Sequence, residues 1–261
     1  FNGNFVMKKV SELFDSRSKK YNDIYTEAHS KKLLHQEKKV RAETVKNLVV
    51  NCLSPINNGI VVDVGCGMGN VLLNLRESGL KAEMYGVDIS KEMIRLANSS
   101  LNEVGYENIN FTTGSIEDVK VSANLVLSLG VAGYHHKQEE FLNGLCSLVD
   151  TDGYLIFSTA NGDSFLRLTR RYLSKIHSYF TGKKKVEFLS IKDKHVESLL
   201  TNNGFKAQKK IYITFGLGLF ASSIECSIDR WFFKNFRNSF ISKYLSLTVL
   251  YVCKRVDEFT K

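Results

Sequence analysis

The chain has 261 residues, a formal net charge of +9 and a hydrophobic content of 43%. These values predict one large domain with a full core, or one domain with a modest cap, and no stretch reaches the ~18 uncharged apolar residues of a membrane-spanning helix. The five cysteines occur singly, which is typical of reduced thiols in a cytoplasmic protein and argues against a disulfide framework. Residues 1–6 precede Met7 and are interpreted as an expression remnant ahead of the natural start.

The N-terminal part, 7–58, is predicted to be mostly helical. From Val10 to Leu53, apolar residues recur at helical spacing among many Lys and Glu residues. Pro55 and the sequence Asn57-Asn58-Gly59 then predict a loop that leads into the first strand.

A short apolar strand, 60–64, runs into a turn in which Gly65, Gly67 and Gly69 alternate with other residues, and a helix is predicted over 71–77. Alternate glycines let the backbone pass close to a ligand. The second predicted strand, 82–88, ends in Asp88, where a carboxylate is well placed to bind the two hydroxyls of a ribose. Together the loop and the acid predict a pocket for a nucleoside that carries a tail.

The residues around the glycines indicate which tail this is. A dinucleotide fingerprint would have glycine where Asn70 stands, and a P-loop would need a G-K-[ST] ending that the loop lacks. Asp63, two residues before Gly65, suits an ammonium group better than a phosphate. The segment resembles the signature of class I S-adenosylmethionine-dependent methyltransferases, and the resemblance implies S-adenosylmethionine as the cofactor.

The rest of the chain alternates strands and helices. Helices are predicted at 91–103, 138–148 and 190–202, and strands at 109–112, 123–129, 153–159, 207–214 and 247–254. This alternation predicts an α/β fold with a doubly wound, mostly parallel seven-stranded sheet, the Rossmann-like fold of the methyltransferase family, over 59–261. The last two strands lack a helix of regular length between them, which favours an antiparallel terminal pair.

The N-terminal helices also bear on the cofactor. Phe14-Asp15-Ser16 and Lys20-Tyr21-Asn22 are similar to the F-D-x-x-A-x-x-Y-D opening of quinone and small-molecule methyltransferases, from which Ser18 and Asn22 depart. The resemblance implies that 7–58 is a lid over the cofactor, with Tyr21 in contact with it. The alternative is that Phe14 and Tyr21 only anchor a helix on the core.

Ligands of open α/β sheets bind at the carboxyl ends of the strands. The resemblance implies that the backbone of 65–67 lines the methionine part, that Asp63 lies near its ammonium, and that Ile89 lies flat on the adenine. Ser115 stands where relatives have an acid that binds the adenine amino group, while Asp118 either replaces that acid or caps the next segment. The predicted cofactor-binding residues are Tyr21, Asp63, Gly65, Cys66, Gly67, Asp88, Ile89, Ser115, Ile116, Leu129 and Gly130.

Tyr134 and His135, after the fourth strand, are the predicted catalytic residues. Relatives commonly place a histidine or tyrosine facing the transferable methyl where Tyr134 falls; the alternative is that Tyr134 only packs on the cofactor. His135 is expected to point to the core and His136 to lie in the following loop. No metal is predicted, because adjacent histidines cannot both face one ion from a helix.

Two insertions are predicted to form caps. The first, 162–195, has nine Lys or Arg against three acids and suits a basic amphipathic helix. In the second, 216–245, apolar residues recur every fourth position from Ile228 to Tyr244. This stripe either packs on the sheet as a plain cap helix, covers the acceptor pocket, docks on a subunit or contacts a membrane surface. The interpretation is that it lies on the acceptor side.

The predicted acceptor is a small or amphipathic molecule with an anionic part, methylated on oxygen or nitrogen. Nucleic acid is not expected, because residues 130–133 lack the D/N-P-P-Y/F tetrapeptide of amino-methylating nucleic-acid enzymes. A non-catalytic scaffold that binds the cofactor, and a methyltransferase acting on RNA or protein, are the alternatives. The oligomeric state stays open.

Overall fold

The computed structural model describes residues 8–16, 33–52, 54–181, 189–215, 231–236 and 239–256. Tyr21 and the rest of 17–32 therefore lie outside the described residues, as does much of the second predicted insertion. None of the helices in the described part is long and apolar enough to cross a membrane.

Seven strands form one sheet in the order β3-β2-β1-β4-β5-β7-β6. They are β1 (Ile60–Val64), β2 (Glu83–Asp88), β3 (Ile109–Thr113), β4 (Ala123–Leu129), β5 (Val149–Ala160), β6 (Phe205–Ile213) and β7 (Thr248–Arg255). The first five are parallel, and β7 runs antiparallel to both β5 and β6. The predicted doubly wound sheet with an antiparallel terminal pair is confirmed. Strand order reverses between β1 and β4, which is where such sheets bind ligands.

Helices cover both faces of the sheet. They are α1 (8–16), α2 (Leu33–Cys52), α3 (Asn70–Glu77), α4 (Lys91–Val104), α5 (Gln138–Ser147), α6 (Phe165–Thr181), α7 (Asp193–Asn202), α8 (231–236) and α9 (Ser242–Leu245). One apolar core contains side chains of α2, α3 and α4, and the other contains side chains of α5 and α7. The α4 helix illustrates the local determinants: Ser90 Oγ accepts from Met93 N at its start, and Gly105 ends it at φ 65°.

Two predicted elements begin three or four residues from the expected position, and a third differs in kind. The fifth strand begins at Val149 and not at Gly153, because Val149 already pairs with Ala123 of β4. The helix predicted at 190–202 begins at Asp193, because Ile191 forms a parallel bridge with Asn161.

The stripe predicted from Ile228 to Tyr244 is not one helix. The α8 helix extends over 231–236, the chain turns at 239–241, and α9 is a separate short helix. The turn is closed by a hydrogen bond of 2.7 Å from Ser239 N to Phe236 O. The turn divides the stripe, so Phe232 packs on the core whereas Phe240 is 76% exposed.

Asp193, at the start of α7, ties the antiparallel edge of the sheet to the helices. It accepts hydrogen bonds from Tyr251 Oη at 2.8 Å, Lys210 Nζ at 2.9 Å and Lys243 Nζ at 3.3 Å. Burial alone would raise the pKa of Asp193, but the hydrogen bonds from Lys210 and Tyr251 outweigh it and hold the pKa below its ordinary range.

Asp193→Asn should lower the free energy of unfolding by ~2–3 kcal/mol, because the two ammonium groups then lose their buried anionic partner. Since the folded pKa is depressed, this stabilisation is present above the unfolded pKa of about 4 and is lost as the pH falls through the folded value. Denaturant unfolding of both proteins at neutral and acidic pH measures the difference. Glu197→Gln is the matched control, because Glu197 pairs with the same Lys210 but is 49% exposed. An equal loss in the two variants would contradict the assignment.

Candidate functional site

A cavity of about 710 Å³ opens at the carboxyl ends of β1, β2 and β4. Every predicted site residue that the structure describes lines this cavity. They are Asp63, Gly65, Cys66, Gly67, Asp88, Ile89, Ser115, Ile116, Leu129, Gly130, Tyr134 and His135. These residues are up to about seventy positions apart in the sequence, and the fold brings them together around one cavity.

The glycine loop connects β1 to α3 against the end of β2. Its first amides, Gly65 N and Cys66 N, both donate to Val87 O, at 2.7 and 3.1 Å. Gly65 has φ 76°, and a Cβ there would lie 2.2 Å from Cγ2 of Val131. Only glycine fits this position, because a side chain would meet both the left-handed backbone and the segment after β4. The loop thus keeps its backbone at the cavity wall.

Asp88 is held by two backbone amides at the end of β2. Its Oδ2 accepts from Gly67 N and its Oδ1 from Ser90 N, each at 2.9 Å. Burial raises the pKa of Asp88 above its ordinary value, and the two amide hydrogen bonds oppose that rise. A carboxylate has about four acceptor positions, so the amides orient Asp88 and leave acceptor positions for two neighbouring hydroxyl groups.

Asp63 is the most strongly buried acid of the site. It is 2% exposed, and its Oδ1 has no hydrogen-bond partner among the described residues. Burial, and then the charge of Asp88, raise the pKa of Asp63 to about 7. A buried carboxyl oxygen at a cavity wall is suited to a cationic donor such as an ammonium group.

Arg41, on α2, lies opposite these acids and was missed by the sequence reasoning. Its positive charge lowers the pKa of Asp63 against the larger effect of burial. A Cβ at Gly130, where φ is 79°, would lie 2.7 Å from Nη1 of Arg41, so the glycine makes room for the guanidinium. Asp63 and Arg41 together could bind the ammonium and the carboxylate of an amino acid.

The segment after β3 differs in part from the prediction. Ser115 and Ile116 line the cavity, but Asp118 does not. Asp118 Oδ2 accepts from the amide and the hydroxyl of Ser115, at 2.8 and 2.9 Å, and forms a capping box. Two roles were open for Asp118, and the structure shows that it caps the segment after β3.

The predicted catalytic pair lies in a short 3₁₀ turn after β4. The ring of Tyr134 meets that of Phe14 edge to face, with centroids 5.2 Å apart, so α1 lies over this end of the cavity. His135 stacks on Phe141 at 4.0 Å and also lines the cavity, while His136 is exposed. Burial lowers the pKa of His135, which keeps the imidazole neutral at neutral pH.

The α1 helix also reaches the other end of the site. Ser11 Oγ donates to Ile89 O at 3.0 Å, and Asp15 Oδ1 accepts from Ser90 Oγ at 2.5 Å. Within the predicted lid, the described helix α1 therefore contacts residues beside both Asp88 and Tyr134.

A cationic wall faces the acids. Its cationic side chains come from α2 and α6 and line the same cavity, namely Lys38, Arg41, Arg167, Arg170, Arg171 and Lys175. Glu37 of α2 also lines the cavity, 3.9 Å from Arg41, and offsets part of this positive charge. Lys38 is only 9% exposed, and burial together with Arg41 lowers its pKa to about 7. The basic residues of the first insertion indicated the α6 part of this wall. The Lys- and Glu-rich sequence of α2 did not indicate that Lys38 and Arg41 line a cavity.

Neither metal ligation nor the aromatic stripe contributes to this cavity in the described chain. Among those residues, no group of three or more His, Cys, Asp or Glu side chains could hold a metal ion. None of the stripe residues in 231–236 and 239–245 lines the cavity, so the expectation that the stripe forms the acceptor side is not met there. Burial raises the pKa of the Cys66 thiol well above its ordinary value, which makes Cys66 a neutral wall residue.

The sequence profile of a methyltransferase domain matches residues 57–204, which is more than half of the chain. An uncharacterized protein of Rickettsia prowazekii is 28% identical over 131 residues, covering 48% of this chain and 52% of that protein. The malonyl-[acyl-carrier protein] O-methyltransferase of Acetivibrio thermocellus is 26% identical over 185 residues, covering 70% of this chain and 58% of that protein. The chain thus spans about half the length of the curated relatives it matches.

Solved structures share the fold at low identity. Magnesium protoporphyrin IX methyltransferase from Synechocystis, with bound S-adenosylhomocysteine, has a TM-score of 0.71 at 20% identity, covering 96% of this chain and 99% of that chain. Geranyl diphosphate methyltransferase, in complex with geranyl diphosphate and sinefungin, has a TM-score of 0.58 at 16% identity, covering 85% and 79%.

Asp63→Asn should raise the free energy of unfolding of the ligand-free protein by roughly 1–3 kcal/mol at about pH 8, because the native state then no longer buries that charge. The folded pKa of about 7 lies above the ordinary 3.8, so the destabilisation by Asp63 grows as the pH rises between these values. The gain should therefore be much smaller at about pH 5. Denaturant unfolding at the two pH values tests this, with the exposed Asp150→Asn as the control. A variant less stable than the wild type at the higher pH would contradict the argument.

Proposed function

The chain belongs to the methyltransferase domain family of class I S-adenosylmethionine-dependent enzymes, and from this premise we propose that it methylates an oxygen or nitrogen of a small or lipid-like acceptor that carries an anionic group. The observation that supports the proposal is one cavity with two chemically different sides. Asp63, Asp88 and a glycine loop form one side, and six cationic side chains, with Glu37 beside Arg41, form the other.

The acidic side fits the cofactor. Asp88, oriented by two amides, would hold the ribose hydroxyls, and Ile89 and Ile116 would flank the adenine. The buried Asp63 Oδ1 would accept from the ammonium, and Arg41 would bind the carboxylate. S-adenosylmethionine, when bound, supplies a methyl group on a sulfonium, which leaves as a neutral thioether.

The chain's own contribution to the reaction is alignment. Holding the acceptor atom in line with the methyl can supply several kcal/mol of the rate acceleration, about 7–11 in well-oriented intramolecular reactions. Phe14 and Tyr134, in edge-to-face contact, would close the cavity and exclude water at that end. A carboxylate acceptor needs no base, whereas a hydroxyl or an ammonium must lose a proton, which the neutral His135 could accept.

The cationic side supports an anionic acceptor. Arg170, Arg171 and Lys175 are exposed at the surface and also line the cavity, so they could bind a carboxylate or a phosphate as it enters. The malonyl-[acyl-carrier protein] methyltransferases act on oxygen, which favours an oxygen acceptor here. The fold alone does not choose, because its neighbours include methyltransferases of a tetrapyrrole and of a prenyl diphosphate.

A scaffold that binds the cofactor without catalysis is the second candidate. It is disfavoured because the glycine loop and Asp88 are both intact, and because the cavity continues past them to Tyr134 and the cationic wall. A methyltransferase acting on RNA or protein is disfavoured because Lys38 and Arg41, which are largely buried members of the cationic wall, line the cavity where a small anion reaches them most readily.

Isothermal calorimetry should detect specific binding of S-adenosylmethionine and of its demethylated product. Asp88→Ala should weaken this binding by ~1–3 kcal/mol, the range for charge-assisted hydrogen bonds. The exposed Asp150→Ala serves as the control and should bind as the wild type does. Binding of NAD or ATP in place of both ligands would overturn the cofactor assignment.

Incubation of cell extracts with methyl-labelled cofactor should transfer the label to a small anionic or lipid-like product, which mass spectrometry can identify. With that acceptor, Arg170→Ala/Arg171→Ala should raise the acceptor KM at least about tenfold, since two charge-assisted contacts are removed. Cofactor affinity should not change. Lys194→Ala/Lys206→Ala removes the same charge at exposed positions outside the cavity and is the control. Label found only in RNA or protein would reject the acceptor class.

A further inference from the structure

Large apolar side chains are exposed mainly on one region of the described surface. Five of them lie on α6, at Phe165, Leu168, Tyr172, Ile176 and Tyr179, with exposed fractions between 40% and 86%. They are separated by three or four residues, so they form one face of the helix, which we call the α6 stripe.

The α6 stripe continues onto a neighbouring element. The α6 helix contacts α9, and Phe240, Ile241 and Tyr244 at α9 are between 44% and 76% exposed. Scattered exposed apolar residues are ordinary on a protein surface, but a contiguous group of this kind marks an interaction site.

A cationic face runs beside the α6 stripe. Arg171 is three residues from Leu168, and Lys175 is three from Tyr172, so these side chains are neighbours on the helix surface. Arg171 and Lys175 are exposed, and both line the cavity. The apolar face is therefore separated from the cavity mouth by a band of positive charge. An apolar face beside a basic face is the arrangement of helices that lie in a membrane interface, where aromatic side chains are favoured.

We infer that the α6 stripe docks on the surface of a bilayer that contains anionic lipids, with Arg171 and Lys175 at the level of the headgroups and the cavity mouth facing the bilayer. A symmetric contact with a second copy is disfavoured, because it would bring the cationic bands of two copies together. An acidic protein would neutralise the positive charge of Arg171 and Lys175 but would place the apolar side chains of the α6 stripe against a polar surface. A bilayer satisfies both faces of α6 at once.

Flotation with vesicles tests the docking directly. The wild type should bind vesicles of phosphatidylcholine with phosphatidylglycerol, bind phosphatidylcholine alone much more weakly, and lose binding as salt is added. Leu168→Ser/Ile176→Ser should lower the partition coefficient about tenfold or more, because two inserted aliphatic side chains are removed. Val50→Ser/Val104→Ser removes two exposed aliphatic residues from α2 and α4 and should have no effect. Thermal melts establish that both variants fold.

A fluorescent reporter on α6 tests the orientation. Trp231 is the only tryptophan, so Trp231→Phe with Tyr179→Trp moves the single indole onto the α6 stripe. Its emission should shift to the blue with anionic vesicles and be quenched by brominated lipids. Unchanged emission, equal binding by the stripe variant, or no binding to anionic vesicles would overturn the inference. So would a dimer that the stripe variant abolishes, or an acidic protein bound in preference to vesicles. Calorimetry with S-adenosylmethionine on the stripe variant keeps this result separate from the test of methyl transfer.

Discussion

Two carboxyl groups, the buried Asp63 and the partly buried Asp88, lie at the ends of adjacent parallel strands with the glycine loop beside them, and the rest of the site follows from their electrostatic cost. Burial raises both pKa values, and the negative charge of Asp88 makes ionisation of Asp63 harder still. The fold limits the cost with two amides on Asp88 and the guanidinium of Arg41 near Asp63. A ligand that brings an ammonium group to Asp63 would offset the remaining electrostatic cost, and this relief would contribute to its affinity.

Much of this arrangement is visible in the sequence because it is local. The apolar strand, the alternating glycines and the acid that ends β2 are each read from a few consecutive residues, and the βα alternation then brings the strand ends together. The capping role of Asp118 could not be chosen in advance, because Ser115 offers a nearby partner for it only once the 3₁₀ turn is formed.

The inward charges of α2 were not predictable for a different reason. A helix rich in Lys and Glu is usually solvated, and whether Lys38 faces water depends on what packs over it. Here Lys38 and Arg41 line the same cavity as side chains of α6, which comes more than a hundred residues later in the chain. The prediction of one helix from Ile228 to Tyr244 was wrong because the apolar period is helical but does not reveal the turn at 239–241.

The α6 helix links the cavity to the surface, and its geometry separates the two roles. At 3.6 residues per turn, Arg167, Arg170 and Arg171 fall on the cavity side, whereas Leu168, Tyr172 and Ile176 fall on the solvent side. Substitutions on one face therefore leave the other face chemically intact. An anionic amphiphile would meet the same helix twice, first through its apolar part at the stripe and then through its charged part at the cavity. The charged part would then be held by Arg170 and Arg171 on the cavity side, short of Asp63 and Asp88, whose negative charges would repel it.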